Sequence, residues 1–154
     1  MKLGDPLPSF DGATGWIGPE PTPPSEMSGT PVVVQFWSTR CPLCHEGARA
    51  IARWRERFPY LAVVAVYQVR PDETLDAAVV DRDARTSMNI GYPCAIDGAG
   101  VLVGRFDSAF APGYYVFDAE HRLRHRQMGN EGLDVVESLL ERFFVKASPK
   151  REAY

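Results

Sequence analysis

The stretch PVVVQFWSTRCPLC, Pro31–Cys44, decides how the chain folds. Its first half, Pro31–Trp37, is an almost continuous apolar run rich in β-branched residues, which predicts a strand covered on both faces, as in the middle of a parallel sheet. A helix is predicted from Pro42 to about Phe58, because apolar residues recur there at three- and four-residue spacing on one face: Cys44, Ala48, Ile51, Trp54 and Phe58. Two cysteines therefore lie where a buried strand passes into a helix.

The rest of the chain continues as strands and helices. Further strands are predicted at Ala13–Ile17, Leu61–Val69, Tyr92–Ile96, Gly113–Asp118 and His121–Met128, with turns at Asp97–Gly100 and at Ala119-Glu120. A second helix is predicted to open at Pro71 and Asp72 and to run through the eighties, with its inward face formed by Leu75, Ala78 and Val79. The last helix is predicted at Glu131–Val145, with its inward face formed by Leu133, Val136, Leu140 and Phe143. This order predicts an α/β fold, with a mixed central β-sheet flanked by helices and an antiparallel hairpin before the last helix.

The length and the proline distribution predict one domain. A chain of 154 residues is long enough to bury a core and short for two domains. Seven of its thirteen prolines lie in residues 1–31, which predicts an extended segment. We therefore expect a single domain over 1–145, made of a proline-rich arm (1–30) and a core (31–145), followed by a polar tail (146–154).

Composition narrows the classes of partner. The net charge of −3 gives no strong field that would attract nucleic acid or an anionic membrane. No apolar run approaches the roughly 20 residues that span a bilayer. The N-terminus MKLGDPLPSF lacks the pattern of a signal peptide, because Gly4, Pro6 and Pro8 interrupt it. We expect a monomer that is cytoplasmic as the sequence is written, or extracytoplasmic if the sequence is a processed form.

The cysteines point to chemistry rather than to a scaffold. Three cysteines are too few for a disulfide framework, and a close pair, Cys41 and Cys44, favours redox or metal chemistry. Cys41 would lie at a helix N-terminus, where free N–H groups and the helix dipole favour a thiolate, as do Arg40 and His45 when charged. Pro42 suits the first helical turn. Cys44, one turn inside the helix, would be the buried resolving thiol.

On these residues the chain resembles the thioredoxin superfamily, and within it the TlpA-like redoxin branch. The resemblance extends from the FWSTRCPLC motif to LGDPLPSF (Leu3–Phe10), TGWIG (Thr14–Gly18), YPCAIDGAG (Tyr92–Gly100) and PGYYVFDAEHRLRHRQMG (Pro112–Gly129). It implies a thioredoxin-like fold and a thiol-disulfide oxidoreductase without a cofactor, acting on protein disulfides or dithiols and served by an upstream redox partner. By the same resemblance Pro112 is the cis-proline that faces the cysteine pair. The substrate-binding residues are then expected to be Arg40, Pro42, Ala111 and Pro112, together with Trp37, for which a core position and a substrate contact are equally open.

The chain also departs from the family's pattern. Arg40 replaces the tryptophan that usually precedes the first cysteine, and Arg49 replaces a helix-kinking proline. Gln35 stands where thioredoxins have a buried acid that helps to deprotonate the resolving thiol. From its place in an apolar strand, Gln35 is predicted to be a hydrogen-bonded polar group of the core. Cys94 is predicted to be a small core residue.

Two other classes of function stay open from the sequence, metal binding and peroxide reduction. The cysteine pair could be half of a metal site, with His45, Cys94, His121 or His125 as further ligands, although none lies at zinc-ribbon spacing. A copper chaperone on this fold usually has a C-x-x-x-C motif, one residue longer than the spacing here. A peroxiredoxin-like peroxidase needs Pro-x-x-x-Thr-x-x-Cys, and Val34 and Ser38 occupy the proline and threonine positions.

Overall fold

A computed structural model describes residues 1–20, 27 and 29–147. Residues 148–154 of the predicted tail (146–154) and residues 21–26 and 28 of the predicted arm (1–30) lie outside this part. The strands are β1 (Gly15–Ile17), β2 (Val32–Trp37), β3 (Ala62–Gln68), β4 (Cys94–Asp97), β5 (Gly113–Phe117) and β6 (Leu123–Met128). The helices are α1 (Pro42–Arg57), α2 (Ala77–Arg85), α3 (Val101–Phe106) and α4 (Leu133–Ala147).

The six strands form one mixed sheet in the order β1-β4-β3-β2-β5-β6. Strand β2 pairs in parallel with β3 and antiparallel with β5, so it lies in the interior of the sheet with all six of its residues buried. This placement explains the unbroken apolarity of β2, because neither face meets water. The predicted α/β class with a mixed central sheet is confirmed.

Two apolar layers cover the faces of the sheet. Val33 and Trp37 of β2 pack in one cluster with Ile51 and Trp54 of α1 and with Val136 and Leu140 of α4. The alternate residues of β2 pack on the other face in a second cluster that holds Val32, Val34 and Phe36, together with Leu102 and Phe106 of α3. The core thus fixes the start of α1 at the carboxyl end of β2, which is where both cysteines of the motif lie.

Helix α2 begins later than predicted, and its inward face differs. The Asp76 carboxylate accepts hydrogen bonds from the backbone N–H groups of Ala78 and Val79 and so caps a helix that starts at Ala77. The prediction that Ala78 and Val79 face inward is wrong, since both are exposed. The buried residues of the helix are instead Val80 and Ala84.

Helix α3 was not predicted. It follows the turn at Asp97–Gly100, and the Asp97 carboxylate accepts hydrogen bonds from the N–H groups of Leu102 (3.0 Å) and Val103 (2.8 Å). These bonds satisfy two of the free donors at the start of a helix. The helix has only six residues, so its apolar spacing is too short to stand out in the sequence.

The turn between β5 and β6 is longer than the predicted Ala119-Glu120. The N–H of His121 donates to the Asp118 carbonyl (2.9 Å), and His121 takes a left-handed φ of 61°. This geometry adds a residue to the turn, as in three-residue hairpin loops. Strand β6 therefore begins at Leu123 rather than at His121.

Across the described ranges, none of the helices combines the length and the apolar character that a membrane-spanning helix needs.

Candidate active site

Cys41 and Cys44 form a disulfide at the start of α1, with their Cα atoms 5.2 Å apart. Cys41 is the N-cap residue, and its Sγ accepts a hydrogen bond from the Cys44 N–H at 3.1 Å. Cys41 is partly exposed, whereas Cys44 is fully buried. The first turn of α1 carries no acidic side chain that would oppose a thiolate. When the disulfide opens, the same N–H group and the positive end of the helix dipole are aimed at the Cys41 sulfur.

A hydrogen-bonded clamp fixes the loop in front of Cys41. Arg70 donates from Nη1 to the Thr39 carbonyl (2.7 Å) and to Thr39 Oγ1 (3.1 Å). Tyr67 donates to Glu73 Oε2 at 2.5 Å and lies 3.1 Å from Thr39 Oγ1. Burial raises the pKa of Tyr67, so its hydroxyl keeps the proton that it donates. Arg40, which follows the clamped residue, is exposed and has a left-handed φ of 56°.

The loop before β5 forms the opposite wall of the site. The peptide bond between Ala111 and Pro112 is cis. Ser108, at the base of this loop, donates from Oγ to Gln68 Oε1 (2.8 Å), and Gln68 Nε2 donates back to the Ser108 carbonyl (3.1 Å). Both side chains are buried, so the loop is attached to the end of β3 by bonds that water does not weaken.

Between the two walls lies a groove of about 380 Å³, lined by residues 38–43, 68–71 and 109–112. Cys41, Arg40 and Pro42 line it on one side, and Ala111 and Pro112 line it on the other. Five of the predicted site residues line this groove: Arg40, Cys41, Pro42, Ala111 and Pro112. Cys44 is bonded to Cys41 but is fully buried, and Trp37 is not among the lining residues. Two large apolar side chains at its rim are exposed, at 57% and 50% of their surface: Phe110 and Leu43.

Trp37 does not reach the groove. Its side chain is fully buried, packs edge to face on Tyr67 with ring centroids 4.9 Å apart, and donates from Nε1 to Cys94 Sγ at 3.4 Å. Trp37 therefore has a core position and does not contact the groove. Side chains alternate between the two faces of β2, and Trp37 lies on the face that α1 covers. The prediction that Cys94 is a core residue is confirmed, and burial raises the pKa of its thiol to about 12.

Gln35 is buried beneath the active-site helix, where its amide faces Tyr114. The Gln35 amide lies against the Tyr114 hydroxyl, and this side-chain contact opposes the rise in the pKa of Tyr114 that burial causes. Within the described residues neither Nε2 nor Oε1 forms a well-aligned hydrogen bond, so the predicted hydrogen-bonded core group is found as a buried residue in a weak polar contact. Gln35 is paired with Tyr114 across β2 and β5, and Gly47 of α1 packs against both side chains.

The side chains named as possible metal ligands point to other partners. His121 Nε2 lies 2.9 Å from the Met27 carbonyl, and His125 Nε2 lies 2.8 Å from Gln127 Oε1. His45 Nε2 lies 3.6 Å from Asp83 Oδ1. In residues 1–20, 27 and 29–147 there is no group of three or more His, Cys, Asp or Glu side chains arranged to hold a metal ion.

Several residues that shape the site were not found from the sequence. They are Gln68, Arg70, Glu73, Ser108 and Asn130. Each is far from the cysteine motif along the chain and acts through a hydrogen bond to a backbone group or to another such side chain. No local pattern marks such contacts, because they depend on which strand ends meet at the same edge of the sheet.

Comparisons with known proteins agree with this geometry. A model of the AhpC/TSA family matches residues 3–126. The thiol-disulfide oxidoreductase YkuV of Bacillus subtilis (strain 168) is 32% identical over 143 residues, which are 92% of this chain and 96% of that protein. A solution structure of a thioredoxin-like protein in the oxidized form superposes with a TM-score of 0.81 at 31% identity, covering 95% of this chain and 99% of that one.

A more distant structure shares the fold. A thiol-disulfide isomerase from Corynebacterium glutamicum superposes with a TM-score of 0.74 at 20% identity, covering 90% of this chain and 95% of that one. The family match spans most of the sequence and includes the cysteine pair. The chain therefore belongs to the AhpC/TSA family, in the thioredoxin superfamily of redoxins, and is a thioredoxin-like thiol-disulfide oxidoreductase.

Proposed function

We propose that the protein exchanges disulfides with protein substrates, with Cys41 as the nucleophile and Cys44 as the resolving thiol. The observation that carries this proposal is the unequal placement of the two sulfurs. Cys41 is partly exposed in the groove and accepts the Cys44 N–H, whereas Cys44 is fully buried. Only Cys41 can meet the disulfide of a large substrate, and only Cys44 is near enough to attack Cys41 afterwards.

The reduction of a substrate proceeds in two balanced steps. In the first, the Cys41 thiolate attacks one sulfur of the substrate disulfide, a Cys41–substrate disulfide forms, and the other substrate sulfur leaves as a thiolate that takes up a proton. In the second, Cys44 loses its proton and attacks the Cys41 sulfur. The Cys41–Cys44 bond forms, the bond to the substrate breaks, and the second substrate thiolate is released and protonated. Oxidation of a dithiol substrate is the reverse sequence.

The lining of the groove supports the proposal that the substrate is an extended polypeptide. Its rim presents Phe110 and Leu43, which can cover apolar side chains on either side of a substrate cysteine. Arg40 adds an exposed positive charge next to Cys41. Ala111 and Pro112 lie in the wall opposite Cys41, where backbone groups of the loop can meet those of the substrate. The relative that is 32% identical, a thiol-disulfide oxidoreductase, supports the same class of reaction.

Reduction of insulin by dithiothreitol, with single-cysteine variants, tests the assignment. We expect Cys41→Ser to abolish the catalysed rate. We expect Cys44→Ser, reduced and then mixed with insulin after the dithiothreitol has been removed, to accumulate a disulfide between Cys41 and an insulin chain, visible by mass. Cys94→Ala is the matched control, because that thiol is buried away from the groove and should keep most of the activity. Full activity in both Cys41→Ser and Cys44→Ser would overturn the proposal. Hydrogen peroxide can be offered as an alternative oxidant. If the protein consumes it at a rate that depends on Cys41, the peroxiredoxin-like peroxidase is favoured instead.

A further inference from the structure

A chain of hydrogen bonds connects the sheet to the turn between the two cysteines. Tyr114 on β5 donates from its hydroxyl to Asn130 Oδ1 at 2.6 Å. Asn130, in the segment between β6 and α4, donates from Nδ2 to the Leu43 carbonyl at 2.8 Å. Leu43 lies between Cys41 and Cys44, so this Tyr114–Asn130–Leu43 bridge ends inside the cysteine motif.

Gly47 provides the space for the bridge. A Cβ atom at this position of α1 would overlap the Tyr114 hydroxyl, which is therefore in contact with the helix backbone. Glycine inside a helix is unfavourable by about 1 kcal/mol relative to alanine. The close approach of Tyr114 to α1 explains why a glycine stands at position 47 in spite of this cost.

The bridge is built from groups that keep their hydrogen-bonding roles. The Tyr114 side chain is fully buried, and burial raises its pKa, so the hydroxyl stays protonated and can donate at any pH at which the protein works. The amide of Asn130 does not titrate. Glu46 is the nearby charged group, with Oε1 3.5 Å from Asn130 Nδ2.

The bridge also joins the two walls of the groove. Tyr114 is two residues after Pro112 on β5, and Leu43 is in the first turn of α1 beside Pro42. In the oxidised protein the Cys41–Cys44 bond itself holds that turn closed. When the disulfide opens, this constraint is lost. The hydrogen bond from Asn130 to the Leu43 carbonyl does not depend on the redox state, so it can still hold the turn to the sheet.

We propose that Tyr114 and Asn130 are positioning residues for the dithiol, which hold the turn so that Cys44 stays beneath Cys41 while the disulfide is open. This inference rests on the proposed roles of the two cysteines. It concerns the second step, in which Cys44 attacks the Cys41 sulfur and releases the substrate thiolate. Loosening the turn lowers the effective concentration of Cys44 at Cys41, which slows this step and destabilises the Cys41–Cys44 disulfide relative to the dithiol.

The reagent 5,5′-dithiobis(2-nitrobenzoate) separates the two steps on the full-length protein. Attack by Cys41 releases one coloured thiolate and leaves a mixed disulfide, and attack by Cys44 releases the second. We expect Tyr114→Phe and Asn130→Ala each to slow the second release about five-fold, the effect of losing one hydrogen bond, and to leave the first release within about two-fold. The double variant should be no slower than the slower single variant, because both substitutions break one bridge.

Tyr115→Phe is the matched control. It removes the same atom from the neighbouring residue, whose buried side chain lies on the other face of the sheet and whose hydroxyl is 3.5 Å from Arg126 Nη2. We expect its second release to match that of the unchanged protein. The equilibrium constant for forming the Cys41–Cys44 disulfide from oxidised glutathione should fall about five-fold in Tyr114→Phe and Asn130→Ala and stay constant in Tyr115→Phe.

The outcomes separate this inference from the proposed function. Equal second-release rates in Tyr114→Phe, Asn130→Ala and Tyr115→Phe would overturn the positioning role and leave the cysteine assignments intact. Absence of any second release in the unchanged protein would overturn the cysteine assignments themselves. Tyr114→Phe keeps the buried ring in place, so it carries the test even if Asn130→Ala disturbs its loop.

Discussion

Ser108 and Gln68 exchange two hydrogen bonds, from Ser108 Oγ to Gln68 Oε1 at 2.8 Å and from Gln68 Nε2 to the Ser108 carbonyl at 3.1 Å. This reciprocal pair joins the end of β3 to the loop that leads to Pro112. It fixes one wall of the groove in the same way that the bond from Arg70 to the Thr39 carbonyl fixes the other. The position of Cys41 relative to its substrate thus depends on polar contacts remote in sequence from the cysteine motif.

Replacement of Ser108 by alanine tests this wall. The change leaves Gln68 Oε1 buried without its donor, so we expect the free energy of unfolding to fall by about 1–3 kcal/mol. We also expect the KM for insulin to rise, because the loop that carries Phe110 and Pro112 loses an anchor. Urea denaturation and steady-state kinetics measure the two effects. Ser9→Ala, at an exposed hydroxyl that only accepts a local N–H, is the control and should change neither quantity appreciably.

The environment of Cys41 predicts an acidic thiol. The Cys44 N–H and the N-terminus of α1 point at the Cys41 sulfur, so we expect its pKa in the reduced protein to lie below the ordinary value of about 8.5. The rate of alkylation by iodoacetamide, followed against pH in a Cys44→Ser variant, reports this value. Since Cys94 is buried, it should not react on the same timescale. A midpoint at or above that of a free thiol would refute the prediction.

Asp118 gives a pH dependence to folding. Burial would raise the pKa of Asp118, but the N–H groups of Arg122 and Glu120 and the Arg124 guanidinium outweigh burial and lower it. A lowered pKa in the folded state contributes stability above the unfolded value, near 3.8, and this stability is lost as the pH falls through the folded value. Asp118→Asn should therefore lower stability at pH 7 and flatten its decline below about pH 4. The free energy of unfolding, measured at several pH values in this range, would contradict the assignment if it fell equally steeply with decreasing pH in both proteins.

Two glycines in helices are expected to respond in opposite ways to alanine. A Cβ at Gly47 would overlap the Tyr114 hydroxyl, whereas a Cβ at Gly104 of α3 meets no atom within 4 Å. We expect Gly47→Ala to lower the free energy of unfolding by about 1–3 kcal/mol through overpacking. Gly104→Ala should raise it by about 0.5–1 kcal/mol, because alanine is the better helix former. Thermal denaturation of both variants checks the signs, and a neutral Gly47→Ala would mean that Tyr114 moves aside at no cost.

Much of the fold could be predicted from the sequence where periodic apolar patterns are long. Strand β2 and helix α1 are found within one residue of their predicted ends. The apolar run of β2 is unbroken along most of the strand, and the apolar residues of α1 recur over several helical turns. Helix α3 escaped prediction because only six residues form it and the Asp97 side chain, rather than an apolar stripe, marks its start. Helix α2 was displaced because the cap at Asp76, not the proline at position 71, sets its beginning.

The active site was predictable only in part. The cysteine motif and the segment at Pro112 are local sequences, and the structure brings them together across the groove. Trp37 is near the cysteines in sequence, so a core position and a substrate contact were equally open, and the structure buries its side chain. Asn130 and Ser108 gave no signal, because their roles arise from single hydrogen bonds between distant segments.

The measurement that tests the central claim most directly is the redox equilibrium of the Cys41–Cys44 couple in glutathione buffers, with thiol content read by mass. We predict a single reversible two-electron transition that is absent in Cys41→Ser and in Cys44→Ser and unchanged in Cys94→Ala. The potential at its midpoint also gives the direction of electron flow, since such dithiols range from about −270 mV for reductants to about −120 mV for disulfide donors. Failure of the pair to form a disulfide at any glutathione ratio would contradict the assignment of an oxidoreductase that works through these two cysteines.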